Sequence, residues 1–318
     1  IFFHGKLEAS FFCGAAGIPI TILHKNTARE IFSFRLFLIE IYLYFRHFFK
    51  ASRMETNNRT NLKFRIMKKK KIFLGLILFG FGLIGILSIP TMDIPLPAEA
   101  EALLKDKFTP QQIKMLVLIN PTIMLIVAVI VGTSLYKKVN FKLPLFEKIV
   151  GIENDKLNFP GILKYGILGG VLAGILLSLV GIIFHPLLPA EFLELGQTLK
   201  PTLAARFLYG GLTEEIIMRF GLMTLIVWIA FKISKGTKPI VYWIGIIIAS
   251  IIFALGHFPV AFQAVDEPSM GLLTYIFIGN SIGGLIFGWL YWKKGLESAF
   301  IAHIFAHVIM VTAGPLLS

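Results

Sequence analysis

The chain has 318 residues, of which 56% are hydrophobic and 15% charged, with a mean hydropathy of +0.78. This apolar share exceeds that of ordinary soluble domains and predicts a protein in contact with lipid. The net charge of +13 is concentrated in residues 1–70 beside apolar segments, with no basic groove interleaved with aromatic residues, so we expect no nucleic-acid partner. Cys13 is the only cysteine, which excludes an internal disulfide and a cysteine-based zinc cluster.

Residues 1–66 form a basic N-terminal segment. The apolar stretch 31–49 is interrupted by Arg35, Glu40 and Arg46, which are costly at bilayer depth, so we do not expect it to cross a membrane. A polar run that begins after Met54 resembles the start of an ordinary membrane protein. Our hypothesis is that residues 1–53 are an upstream translated segment that is not part of the native protein.

The remaining chain contains runs of about 20 apolar residues, the length that crosses a hydrocarbon core of about 30 Å. We predict an all-α, polytopic transmembrane bundle of about seven spans. Residues 67–199 hold the N-terminal transmembrane helices, and residues 200–318 hold a transmembrane core. The predicted spans are 72–89, 115–136, 162–184, 203–231, 240–256, 272–292 and 296–313.

The loops between these spans alternate in charge. Lysine clusters at 68–71, 137–148, 232–238 and 293–294 alternate with loops that carry most of the acidic residues. Because cytoplasmic loops carry the excess of lysine and arginine, we expect a cytoplasmic N-terminus and an outward C-terminus, in the plasma membrane.

The fourth span carries ionisable residues far from either end, namely Glu214, Glu215 and Arg219. Such residues are functional candidates because an idle charge in hydrocarbon is costly. Glu215 and Arg219 are four residues apart on a helix and should pair, which leaves Glu214 on another face as a candidate general base. A structural ion-pair network and a transporter's proton relay remain alternatives for these charges.

Three histidines lie in or beside the later spans. His303 and His307 are four residues apart, so both rings project from one face of the last span, where they can polarise water, donate to an oxyanion or bind a metal. His257 lies at the end of the fifth span, before Pro259, which should stop that helix. A bundle-packing role for the pair, and an interfacial role for His257, are the structural alternatives.

Taken together, these motifs resemble the CPBP family, the CAAX protease and bacteriocin-processing membrane proteins, also called Abi-type. The resemblance covers residues 200–310. Its three ordered motifs are Glu214-Glu215-x-x-x-Arg219, Phe253-x-x-x-His257 and a last motif that begins at His303. One position departs from the family pattern, because His307 stands where the family usually has asparagine. The neutral imidazole of His307 can still donate one hydrogen bond, so we still expect it to stabilise an oxyanion.

The resemblance implies an intramembrane endopeptidase that cleaves a membrane-associated peptide or protein. Glu214 and His257 would activate water, and His303 and His307 would stabilise the tetrahedral intermediate, with Glu215 and Arg219 in support. We prefer a scheme that requires no cofactor. A divalent metal such as zinc, bound by Glu214 and the three histidines, is the other scheme implied by the family. The alternative function is a non-catalytic membrane scaffold or bacteriocin-immunity protein of the same family.

Overall fold

The computed structural model describes residues 58–92, 103–104, 106–152, 157–199, 201–236 and 238–317. The described residues are helical and contain no strand, which confirms the all-α prediction. They belong to two compact units. Residues 58–69 of the first unit are the start of a helix, and residues 70–317 of the second unit form the bundle. The hypothesis about residues 1–53 falls outside the described residues.

Eleven α-helices of the described residues carry the fold. We label the α-helices in chain order as follows: α1 (Asn58–Ile86), α2 (Pro110–Leu116), α3 (Ile119–Leu135), α4 (Pro144–Ile149), α5 (Phe159–Phe184), α6 (Ala190–Leu199), α7 (Thr224–Ser234), α8 (Pro239–Leu255), α9 (Phe258–Ala264), α10 (Met270–Lys294) and α11 (Leu296–Leu317). Between α6 and α7 the chain winds as a π-helix over Ala205–Glu214 and Ile216–Met223, which we call the π segment. Single 3₁₀ turns lie at Ile89–Thr91, Tyr136–Val139 and His185–Leu187.

Seven helical segments of the described chain are long and apolar enough to cross a membrane. Each overlaps one predicted span, so the spans are confirmed and the protein is an integral membrane protein. Large apolar side chains cover the lipid-facing surface, as Ile183 and Leu172 illustrate with exposed fractions of 67% and 52%. The segments are Phe64–Thr91, Pro110–Val139, Phe159–Leu187, Ala205–Ser234, Pro239–Ala264, Met270–Lys294 and Leu296–Ala313.

The lysine-bearing loops meet at one end of the bundle, which we call the lysine-rich end. It consists of the turn 136–151, the start of α8 and the turn between α10 and α11. The Tyr242 hydroxyl donates to the Val139 carbonyl at 2.9 Å, and the Leu296 N–H donates to the Lys142 carbonyl at 3.3 Å. The Lys70 ammonium donates to the carbonyl of Gly151. This grouping agrees with the predicted alternation of charged loops.

Glycines allow two of the spans to approach closely. A Cβ added to Gly170 would lie 2.5 Å from the Ala302 carbonyl oxygen, and one added to Gly174 would lie 2.5 Å from Ile309 Cβ. The backbones of α5 and α11 can pack at this separation only because neither position carries a side chain. This contact fixes the helix that carries His303 and His307.

Candidate active site

The span that carries Glu214 and Glu215 is wound more widely than an α-helix. In the π segment, the Thr224 N–H reaches the carbonyl of Arg219, five residues earlier, and the Thr224 hydroxyl donates to the same oxygen at 3.2 Å. The placement of Glu214 on another face than Glu215 and Arg219 rested on α-helical spacing, which does not describe this π-helical segment. π-helical turns are rare and occur frequently at functional sites.

Close contacts with α1 and α3 hold the π segment in place. The Thr213 hydroxyl donates to the Gly82 carbonyl of α1 at 2.7 Å, and a Cβ at Gly85 would lie 2.1 Å from Thr213 Oγ1. On the other side, a Cβ at Gly132 of α3 would lie 2.4 Å from the Phe220 ring. The polar residues of the π segment therefore sit on a tightly packed backbone.

A buried carboxylate at Glu215 joins the π segment to α11. Its side chain is fully buried, with Oε1 3.0 Å from His303 Nδ1 and Oε2 3.2 Å from Arg219 Nε. The ion pair predicted from the spacing of Glu215 and Arg219 is thus present. The contact with His303 was not predicted. Because a carboxylate only accepts, Nδ1 of His303 carries the proton in this bond, and Nε2 is left for other chemistry.

Three rings form a stacked column beside this carboxylate. The His303 ring lies between Phe287 at 4.7 Å and His307 at 5.0 Å, measured between ring centroids. Both histidines turn Nε2 toward Gly210: a Cβ at that position would lie 2.9 Å from His307 Nε2 and 3.5 Å from His303 Nε2. The absence of a side chain at Gly210 therefore allows both imidazoles to approach the backbone of the π segment closely.

His257 occupies the break between α8 and α9. Helix α8 ends at Leu255, as the position of Pro259 predicted, but the chain resumes as a helix at Phe258 with the proline in its first turn. His257 Nδ1 lies 2.8 Å from the Phe253 carbonyl oxygen. Since a carbonyl only accepts, this bond places the proton on Nδ1 and leaves Nε2 as an acceptor in the neutral ring.

Arg219 links these two groups of rings. Its guanidinium is fully buried and lies 5.3 Å from the centroid of the Phe253 ring and 6.0 Å from that of Phe287. Phe253 in turn contacts the His257 ring edge-on at 4.6 Å. The array therefore runs from His257 through Phe253, Arg219 and Phe287 to the histidines of α11.

Glu214 lies next to this array and is buried, with an exposed fraction of 8%. Within the part of the chain that the structure describes, its carboxylate makes no hydrogen bond or ion pair. Neither Glu214 nor His257 is joined by such a bond to His303 or His307. The structure thus brings together Glu215, Arg219, His303 and His307 by direct contact, and places Glu214 and His257 in the same bundle without a direct bond to them.

Side chains that can bind a metal are present in this part of the bundle. Among the residues that the structure describes, no group of three or more histidine, cysteine, aspartate or glutamate side chains is arranged to hold a metal ion. Protein metal centres of the catalytic zinc type use three such ligands. Among these residues, Glu214 and the three histidines are therefore not gathered into such a ligand group, and a divalent metal stays a prediction.

The sequence analysis missed three residues of this site. Phe287 stacks on His303, Gly210 leaves room for both imidazoles, and Thr213 anchors the π segment to α1. The pair Gly210-Gly211, directly before the glutamates of a charged span, was a signal that could have indicated a close approach. The stacking of Phe287 had no comparable signal, since an aromatic residue in an apolar span is ordinary.

The fold and the arrangement of these side chains define a membrane-embedded helical domain with a buried cluster of glutamate, arginine and histidine. Residues 196–309, which include every candidate residue above, match the family described as type II CAAX prenyl endopeptidase Rce1-like. This match confirms the family resemblance predicted from the three motifs. No curated protein and no solved structure matches the chain.

Proposed function

We propose that this protein is an intramembrane endopeptidase that hydrolyses a peptide bond of a membrane-associated peptide or protein. One observation carries the proposal: His303, held by Glu215, stacks on His307, and Nε2 of both rings lies next to the backbone of Gly210. Ionisable residues at such depth are expensive and are kept for function. The match of this segment to a family of prenyl endopeptidases supports the same reaction class.

In the proposed reaction, Glu214 and His257 activate a water molecule. Glu214 accepts one proton of the water while the oxygen of the water bonds to the carbonyl carbon of the substrate. His257 Nε2 accepts a hydrogen bond from the same water. The carbonyl oxygen becomes the oxyanion of a tetrahedral intermediate. The carbon–nitrogen bond then breaks, and the proton held by Glu214 passes to the leaving amine. The free carboxylate of Glu214 and the acceptor state of His257 support these roles.

His303 and His307 are assigned to the oxyanion, which would lie beside Gly210. A neutral His307 can donate from Nε2, as the asparagine usual in the family would from its amide. His303 already donates from Nδ1 to Glu215, so donation from Nε2 as well makes its ring an imidazolium. The adjacent carboxylate of Glu215 offsets that charge and fixes the orientation of the ring, as an acidic residue does for the histidine of a catalytic triad.

The test compares wild type with Glu214→Gln, which removes the proton acceptor and keeps the size of the side chain. New N-termini in the membrane proteome are quantified by mass spectrometry. We expect a cleavage product in wild type that falls by about 10²-fold or more in Glu214→Gln, the scale of general-base catalysis. Glu191→Gln is the matched control, because Glu191 is an exposed glutamate of α6 outside the site.

Unchanged cleavage products in Glu214→Gln would contradict the proposal. If Glu214→Gln leaves the products and the cellular phenotype unchanged while the protein accumulates normally, hydrolysis is not its function. That result would favour the scaffold or immunity alternative, for which the structure offers no specific observation.

The substrate class is proposed from the family description. A peptide with a prenylated cysteine near its C-terminus is the first probe for the purified protein, with the same peptide lacking the prenyl group as its control. Cleavage of only the prenylated peptide would assign the protein to the substrate class named by the family. Equal cleavage of both would assign it to membrane-associated peptides in general.

We also propose that the lysine-rich end faces the cytoplasm and that the protein resides in the plasma membrane. The test uses single cysteines in a Cys13→Ser background. Glu267→Cys, in an exposed loop at the opposite end, should react with a membrane-impermeant maleimide on intact cells. Ser234→Cys, at the exposed end of α7, should react only after permeabilisation. The reverse pattern would invert the proposed orientation.

A further inference from the structure

A lateral groove lies on the lipid-facing surface, away from the candidate active site. It has a volume of about 460 Å³ and is bounded by α5, α8 and α10. Its floor is Gly169, Ile286 and Leu290, and its walls include Tyr165, Trp243 and Trp289. A groove of this volume is within the range of small-ligand sites, and its lining is almost entirely apolar, so the complementary occupant is a hydrocarbon chain.

The groove is short enough to lie within one leaflet of a bilayer. On α5 its lining extends from Tyr165 to Leu172, which is about 10 Å along the helix axis. The hydrocarbon of one leaflet is about 15 Å thick. Tyr165, Trp243 and Trp289 lie toward the ends of their helices that meet at the lysine-rich end, where aromatic rings are enriched at the membrane interface.

Two lysines flank the mouth of the groove. The Lys294 ammonium lies 3.5 Å from the centroid of the Tyr165 ring, which is itself part of the groove wall. The Lys293 ammonium lies 3.6 Å from the centroid of the Trp292 ring, and Trp292 contacts Trp243 of the opposite wall at 6.1 Å. The two positive charges are therefore held on either side of the same opening by cation–π contacts.

The turn that follows these lysines is rigid. Gly295 has a φ of +102°, a conformation that L-residues rarely adopt, and its N–H donates to the carbonyls of Leu290 and Tyr291. The buried carboxylates nearby are occupied: Glu297 accepts from the backbone N–H groups of Leu145 and Phe146, and Glu147 pairs with Lys137. The positive charge at the mouth is thus fixed in place and is not cancelled by these carboxylates.

We infer that this groove is a binding site for one anionic glycerophospholipid of the leaflet at the lysine-rich end. One acyl chain lies between α5 and α10 against Trp243, and the phosphate is bound between Lys293 and Lys294. Basic pockets between transmembrane helices bind anionic headgroups in this way. The site does not depend on the proposed hydrolysis, because it shares no residue with the candidate active site.

The test measures lipid retained by the full-length protein in native mass spectrometry. The protein is extracted from vesicles of phosphatidylcholine and phosphatidylglycerol and titrated with each lipid. We expect one tightly bound phosphatidylglycerol, with weaker binding of phosphatidylcholine. The double variant Lys293→Gln/Lys294→Gln should weaken phosphatidylglycerol binding by about 30-fold and leave phosphatidylcholine binding unchanged. Lys232→Gln/Lys235→Gln removes two exposed lysines from the same end and should have no such effect.

A second variant tests the acyl-chain part of the site. Leu168→Trp should fill the groove and abolish retention of the lipid, whereas Leu179→Trp, an exposed leucine on the same helix outside the groove, should not. Both side chains face lipid, so neither substitution disturbs the buried core. Equal retention of both lipids, or unchanged retention in Leu168→Trp, would overturn the inference. So would a dimer that covers the groove, or displacement of the lipid by a prenylated peptide.

Discussion

The candidate site and the lysine-rich end both bury glutamates, but they use them differently. At the lysine-rich end, the carboxylates of Glu147 and Glu297 bind a lysine and backbone N–H groups of the turn 136–151. At the site, Glu215 binds Arg219 and a histidine whose second nitrogen makes no hydrogen bond within the described residues. Burial of a charge therefore does not distinguish function from architecture. The distinguishing feature is a histidine that the buried carboxylate orients and whose second nitrogen stays available.

The largest effect that tests this comparison is expected for Arg219→Ala. It leaves the Glu215 carboxylate buried without its cation, which should cost about 3–5 kcal/mol of unfolding free energy. The double variant Glu215→Gln/Arg219→Met should be less destabilised than the single one. Unfolding in mixed micelles measures both. Equal destabilisation of the single and double variants would mean that the pair is not energetically coupled.

The next effect concerns the space beside Gly210. In Gly210→Ala, the new methyl group would lie 2.9 Å from His307 Nε2 and displace the imidazoles. A displacement of this order should lower cleavage by about 10²-fold with little change in stability. Gly80→Ala is the matched control, because a Cβ there meets no atom within 4 Å. A fully active Gly210→Ala variant would show that the oxyanion is not bound beside Gly210.

A smaller effect is expected for Glu297→Ala at the lysine-rich end. The backbone N–H groups of Leu145 and Phe146 would lose their charged acceptor, at a cost of about 2 kcal/mol in unfolding free energy. Glu297→Gln should recover part of that loss because its amide oxygen also accepts. Cleavage per folded molecule should be unchanged in Glu297→Gln, which keeps the contact with α4. Loss of activity beyond the loss of folded protein would show that the two regions are not separable.

The smallest effect is expected for His307→Asn, which installs the residue usual in the family. Both side chains can donate one hydrogen bond, so cleavage should stay within about tenfold of wild type. His307→Ala removes the donor and should lower cleavage by about 10²–10³-fold, as loss of an oxyanion-hole donor does. If His307→Ala is as active as wild type, the oxyanion is stabilised by other groups.

The spans were predictable because the bilayer fixes their length, and each predicted span overlaps an observed one. The pairing of Glu215 with Arg219 was predictable because it is local. The contact between Glu215 and His303 was not, since the two residues are 88 positions apart and meet only when the π segment packs on α11. The π winding was also not predictable, because the apolar pattern of the span does not distinguish it from an α-helix.

The binding of Glu297 to the start of α4 has a mechanical consequence. Helix α11 begins one residue before Glu297, and His303 follows two turns later, about 10 Å along the axis. The contact with α4 thus holds α11 near its first turn. A change in the angle of α11 about this contact displaces His303 less than it displaces residues farther along the helix. The protein can therefore tolerate motion at the far end of its last helix while the imidazole of His303 keeps its alignment.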